Sequence, residues 1–235
     1  MYHPFSVSET IKTAWFLLKR NFAVISIYSL LGFLTVSILA FVEYFVLSDG
    51  NIIASIGIVV LLIGISFIFL GFIKLLFQLI DREYYDFEFS DIIPKIKMLY
   101  SYILLLIIVS TLSVLITNAI KSLNEGLTQN LLGIIVGVFF QFFFLFYFPI
   151  CACFIVDDAS GPFESVIQSF QLIRGNFLKY LLLFIIIEAM VFIGSIPFFL
   201  GMLFVIPFVN IILVVAYRKL IYSHQDVDDD ITETV

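Results

Sequence analysis

Residues 179–216 read KYLLLFIIIEAMVFIGSIPFFLGMLFVIPFVNIILVVA, an apolar run interrupted by a few polar residues. How this run divides decides the fold. A helix rises 1.5 Å per residue and the hydrocarbon core is about 30 Å thick, so one span needs about 20 residues. The run is too long for one span and suits two. Gly194-Ser195-Ile196-Pro197 supplies the break, because Pro197 disfavours helix at the residue before it. The reading is a tight hairpin of spans five and six, with Pro207 kinking the sixth.

Outward from there, four more apolar runs lie near Phe22–Val46, Ile52–Ile80, Met98–Ile120 and Leu131–Val156. The expected fold class is therefore an all-α membrane protein with six transmembrane helices. Composition agrees, with 62% hydrophobic and 13% charged residues and a mean hydropathy of +1.16. A soluble domain carries about 45–50% apolar and about 25% charged residues. Met1 to Asn21 lacks the apolar core and cleavage site of a signal peptide, so Phe22 begins a true span. One polytopic domain over 1–222 is expected, followed by an acidic disordered tail over 223–235.

Charge supports the count. With six spans and a cytoplasmic start, Lys12, Lys19, Arg20, Lys74, Arg82, Lys95, Lys97, Arg174, Lys179, Arg218 and Lys219 fall inside, and only Lys121 falls outside. That asymmetry places both termini in the cytoplasm and the chain in the plasma (inner) membrane. An odd number of spans would destroy it.

A charged phrase is written twice. ETIKTAWFLLKRNF (9–22) and ESVIQSFQLIRGNF (164–177) align without a gap, pairing Glu9 with Glu164, Trp15 with Phe170, Lys19 with Arg174, Asn21 with Asn176 and Phe22 with Phe177. Val7, Ile11, Ala14, Trp15, Leu18 and Phe22 make one apolar helical face, and Val166, Phe170, Ile173 and Phe177 repeat it. Ser6 with Glu9 reads as a capping box, and Pro162 suits a first helical position. Each copy is expected to be an amphipathic helix in the inner interface, Trp or Phe toward lipid, before spans one and five. Asn21 and Asn176 are expected in the left-handed turn between that helix and its span. FEFSDIIPKIKMLYSYI, before span three, keeps the period at Ile92, Ile96, Leu99 and Ile103. It lacks the Glu and Asn-Phe markers, and Pro94 interrupts it. Units of about 5–80, 85–156 and 160–222 follow if the repeat is threefold; two units are clear.

The pattern E-[ST]-[IV]-x-x-[AS]-[WF]-x-L-[LI]-[KR]-x-N-F, six spans and a Gly/Pro-broken final hairpin resemble a bacterial polytopic membrane domain. That family forms the membrane part of some glycerophosphodiester phosphodiesterases and also occurs alone. The resemblance covers nearly the whole chain. It implies a membrane fold without the soluble catalytic domain, and so no catalysis carried over.

Enzyme chemistry finds little support. His3 and His224 lie in terminal segments, so neither a His-based metal site nor a Ser-His relay is evident. Cys151 and Cys153 are two apart in an apolar run and read as buried small residues. Asp157 and Asp158 read as a solvated loop opening the turn ASGP. Glu43 and Lys74 read as snorkelling toward the interfaces.

Polar residues within spans carry the functional candidates. Glu188 sits near the middle of span five, and Asn210 sits at a similar depth on the returning span. An antiparallel hairpin lets the Asn210 amide meet the Glu188 carboxyl, either as an interhelical hydrogen bond or as a proton- or substrate-handling site. Gln141 is a third candidate. Gly57, Gly64 and Gly71 recur every seven residues and Gly133 and Gly137 form GxxxG, both read as close helix packing within the chain or in a homodimer.

Two function classes follow. The first is a non-enzymatic plasma-membrane protein acting as an envelope- or lipid-associated accessory or scaffold factor. The second is a small transporter or permease using Glu188 and Asn210. Expected partners are membrane lipids and either another membrane protein or a second copy of the chain, not nucleic acid. No metal or cofactor is expected.

Overall fold

The computed structural model describes residues 5–46, 52–81, 89–123, 126–196 and 201–232. All regular structure among them is helical: α1 (Val7–Arg20), α2 (Phe22–Val46), α3 (Ile52–Asp81), a 3-10 turn (Phe89–Ile92), α4 (Ile96–Lys121), α5 (Leu127–Phe142), a π-helical turn (Phe143–Tyr147), α6 (Phe148–Asp157), α7 (Pro162–Arg174), α8 (Phe177–Ser195) and α9 (Met202–Thr232). Six helical segments are long and apolar enough to cross a membrane, the fourth being α5, the π turn and α6 taken together. The divided run therefore does yield two spans, with α8 ending at Ser195 and α9 beginning at Met202. Residues 197–200, including Pro197, lie outside the described residues.

Span four departs from a plain helix. Pro149 has no N–H, so the carbonyl four or five residues earlier, Leu145 or Phe144, loses its helical donor. A π-helical turn sits immediately before it, and the Phe146 carbonyl accepts a 3.1 Å hydrogen bond from the Tyr180 hydroxyl on α8. Phe146 is fully buried, with Tyr180 packed edge-on 4.8 Å from it. Pro207 lies inside α9. No Gly or Pro follows it to stop the helix, and α9 runs on to Thr232, through most of the segment read as a disordered tail.

The centre of the bundle is α3, α6 and α9, each packed on the other two. Their buried stretches are Leu70–Leu79, Ile150–Val156 and Ile211–Leu220, so the densest packing lies toward the ends of α3 and α6. Around this core, α1 packs on α9, the 3-10 turn packs on α3, and α7 packs on α6.

The small residues of α1 and α7, more than the aromatic ones, make the buried ridge. Thr10 and Ala14 are fully buried, and so are Ser165 and Ser169 at the matching positions of α7. Trp15 and Phe170 remain 48% and 44% exposed. Small side chains let one helix approach another closely, and that contact stabilises by dispersion where no water need be expelled.

Two local expectations change. The Ser6 side chain makes no capping hydrogen bond; Thr10 Oγ1 donates to its carbonyl instead, at 2.8 Å. Only the second copy keeps the acidic half of a box, where the Gly161 N–H donates to Glu164 Oε2 at 3.2 Å, with Pro162 following at the first helical position. Asn21 and Asn176 are not left-handed: their φ/ψ values are −115/24° and −130/27°. Each closes one helix with its N–H and opens the next with its carbonyl, Asn21 to Leu17 and from Ile25, Asn176 to Ile173 and from Tyr180. A shared cap needs no reversal of the chain, so φ stays negative. Among the described non-glycine residues only Ala159, in the turn between α6 and α7, has positive φ.

The glycines separate into two groups. Gly57 faces Leu39, Val42 and Glu43 of α2. A Cβ at Gly64 would lie 2.7 Å from Leu39 Cδ1, and one at Gly71 would overlap the Tyr28 hydroxyl. The seven-residue repeat is therefore the seam between α2 and α3. Gly133 and Gly137 meet nothing within 4 Å and lie on the outer side of α5.

Candidate functional site: a charged junction of three spans

Asp81 ends α3 and Asp157 ends α6. A helix C-terminus carries partial negative charge, so an aspartate there is unfavourable unless a cation is near. Here two such ends meet, and Arg218 of α9 lies between them. Its Nη1 donates to Asp157 Oδ2 at 2.8 Å, and its Nη2 donates to Asp81 Oδ2. The planar guanidinium offers donors in a fixed fork, which lets one side chain bind both carboxylates.

Aromatic residues frame this junction. The guanidinium carbon lies 4.5 Å from the Phe77 ring centroid, within the range of a cation–π contact. Tyr217 donates to the same Asp157 oxygen at 3.1 Å, while its ring packs edge-on against Phe77 and Phe154. Side-chain exposure is 17% for Arg218, 21% for Asp157 and 42% for Asp81. Asp157 is therefore not the solvated loop residue expected. Its neighbour Asp158 has its carboxyl pushed up from the usual range, first by burial and then by the charge of Asp157.

The intramembrane pair does not form. A Cβ at Gly194 would lie 2.7 Å from Val205 Cγ2, which sets the hairpin register and brings Glu188 and Asn210 to similar depth. Yet the Asn210 amide donates to Ile206 on its own helix, at 2.9 Å. Glu188 is half-buried and has no hydrogen bond or ion pair among the described residues. Gln141 is exposed, away from this pair in sequence and in burial.

The repeat residues serve the packing. Glu9 approaches Lys219 of α9 at 3.8 Å, and Lys19 lies 5.0 Å over the Trp15 ring. Trp15 meets Phe208 edge-on at 5.6 Å, whereas Phe170 stacks on Tyr147 at 4.0 Å. Phe177 packs on Phe146 and Phe22 is about half exposed. Arg174 is exposed in the last turn of α7.

Lys74 does not reach only toward water; its ammonium donates to the Ile93 carbonyl at 2.7 Å. Cys151 and Cys153 are buried free thiols, with Ser169 Oγ 3.3 Å from Cys151 Sγ. Among the described residues no three His, Cys, Asp or Glu side chains cluster as metal ligands do.

The junction joins the three central spans electrostatically and offers no nucleophile poised by a base. A sequence signal existed for it: two aspartates end apolar runs, and an arginine follows a third. Searches against family models, curated proteins and solved structures returned no match to this chain.

Proposed function

We propose that the chain is a multi-pass protein of the plasma (inner) membrane, with both termini cytoplasmic, that acts without catalysis as a lipid-associated accessory or scaffold factor. The observation that carries this reading is the packing of α3, α6 and α9 into an apolar core tied at one end by Arg218, Asp81 and Asp157. A core filled by side chains serves as a scaffold and leaves the outer apolar faces, such as Leu30, Leu34, Ile134 and Val138, to meet lipid. On this reading the chain is three related units around a pseudo-threefold axis along the membrane normal, with α1 and α7 in the inner interface.

The transporter reading has less behind it, because Asn210 is satisfied on its own helix and Glu188 has no described partner. Purification in mild detergent followed by mass spectrometry is expected to find bound phospholipid and a reproducible protein partner. Proteoliposomes under a pH gradient are expected to show no proton flux that depends on Glu188. A flux abolished by Glu188→Gln in a folded protein would replace this reading with transport.

A further inference from the structure

Between α3, the 3-10 turn and the start of α4 lies an open groove of about 590 Å³. Lys74 and Gln78 line it from α3, Asp91 and Ile93 from the turn, and Lys95 and Ile96 from the start of α4. Among the described lining residues, two cations stand against one carboxylate, leaving one net positive charge. The Lys74 ammonium uses one donor on the Ile93 carbonyl and has two more to offer. Lys95 is exposed and has no partner among the described residues.

A further polar group beside the groove lacks a partner. Gln78 Nε2 donates to the Asp91 carbonyl at 2.9 Å, while Gln78 Oε1 is buried with no hydrogen bond among the described residues. That oxygen is sealed from the groove, so the polar groups left to a ligand are the two lysine ammoniums. The first turn of α4 itself has no acidic residue and no side-chain cap.

Depth selects the source of that ligand. Lys74 precedes Asp81 by seven residues on α3, about 10 Å along the helix. With Asp81 at the aqueous end, Lys74 lies near the boundary of the headgroup layer, which is about 5–8 Å thick. Beside it Ile96 is 86% exposed and Ile93 is also exposed, apolar surface placed where acyl chains begin.

We infer that this groove binds the headgroup of an anionic glycerophospholipid, with Lys74 and Lys95 on the phosphodiester. One negative charge on the lipid balances the described lining charges. This inference rests on the proposed membrane reading and gives it a specific site.

The test is native mass spectrometry of the full chain released from nanodiscs of equimolar phosphatidylglycerol and phosphatidylethanolamine. The wild type is expected to retain phosphatidylglycerol selectively. Lys95→Gln, which breaks no described hydrogen bond, is expected to lower that retention about fivefold, and Lys74→Gln with Lys95→Gln further. Lys97→Gln, on an exposed lysine outside the groove, is expected to leave it unchanged. Millimolar inorganic phosphate is expected not to displace the lipid. Equal retention in the wild type and the folded Lys95→Gln protein overturns the site but leaves lipid association standing. Preference for phosphatidylethanolamine, or displacement by free phosphate, overturns the assignment of the ligand. A wild type that retains no phospholipid removes both the site and the lipid-associated reading.

Discussion

Arg218→Met is expected to destabilise the protein by about 2–4 kcal/mol, read as a shifted midpoint in reversible detergent-to-SDS unfolding. Removing one member of a buried ion pair costs about 3–5 kcal/mol, because the remaining charge is left without compensation. Exposed pairs are worth about 0.2–1 kcal/mol. This junction lies between those limits, since Asp157 is mostly covered while Asp81 is 42% exposed. Methionine keeps an apolar stem beside Phe77, so the loss is chiefly electrostatic. Asp157→Asn is expected to cost more than Asp81→Asn, because Asp157 also accepts from Tyr217. Arg218→Lys is expected to rescue only part of the loss, because an ammonium lacks the planar fork that serves two carboxylates. A wild-type midpoint for Arg218→Met would mean that the junction is an incidental contact.

Gly201→Ala is expected to cost at least about 2 kcal/mol in the same assay, by steric conflict in the last hairpin. A Cβ there would lie 3.0 Å from Gly194 Cα and 3.1 Å from Gly194 C, and would overlap the Gly194 carbonyl oxygen. Backbone atoms cannot swing aside as the tip of a leucine can, so α8 and α9 would have to separate. Gly133→Ala is the control. Nothing lies within 4 Å of its new methyl group, so the change is expected to stay within about 0.5 kcal/mol or to stabilise slightly through helix propensity. Equal effects at the two positions would contradict the packing of this hairpin.

The apolar runs made six helices legible because length and composition are what a bilayer constrains. The break near Gly194 was legible for the same reason, since the run exceeds one bilayer thickness. Other features depend on helix phase or on contacts between distant residues. Depth alone placed Glu188 beside Asn210, but azimuth and the nearby Ile206 carbonyl decide where the amide points. In α1 and α7 the aromatic stripe was conspicuous, whereas the buried residues are Thr10, Ala14, Ser165 and Ser169 together with Leu172 and Ile173. Hydrophobicity does not mark the inside of a helix pair when the surroundings are equally apolar. The Arg218 junction joins residues 61 and 137 positions apart, beyond any local period. The π turn at Phe143–Tyr147 lies just before Pro149, whose missing N–H weakens the α-helical register there.

On the proposed reading an even number of spans returns the chain to its starting side, and α1 packs on α9. Glu9 Oε2 lies 3.8 Å from Lys219 Nζ, close enough for a carbodiimide to join them as an amide with no spacer. Treatment of native membranes followed by peptide mapping is expected to yield a Glu9–Lys219 cross-link, absent from Lys219→Arg. Failure to form that link, with Glu9 instead joined to Lys121 or Lys219 to Glu43 of the opposite side, would contradict this arrangement.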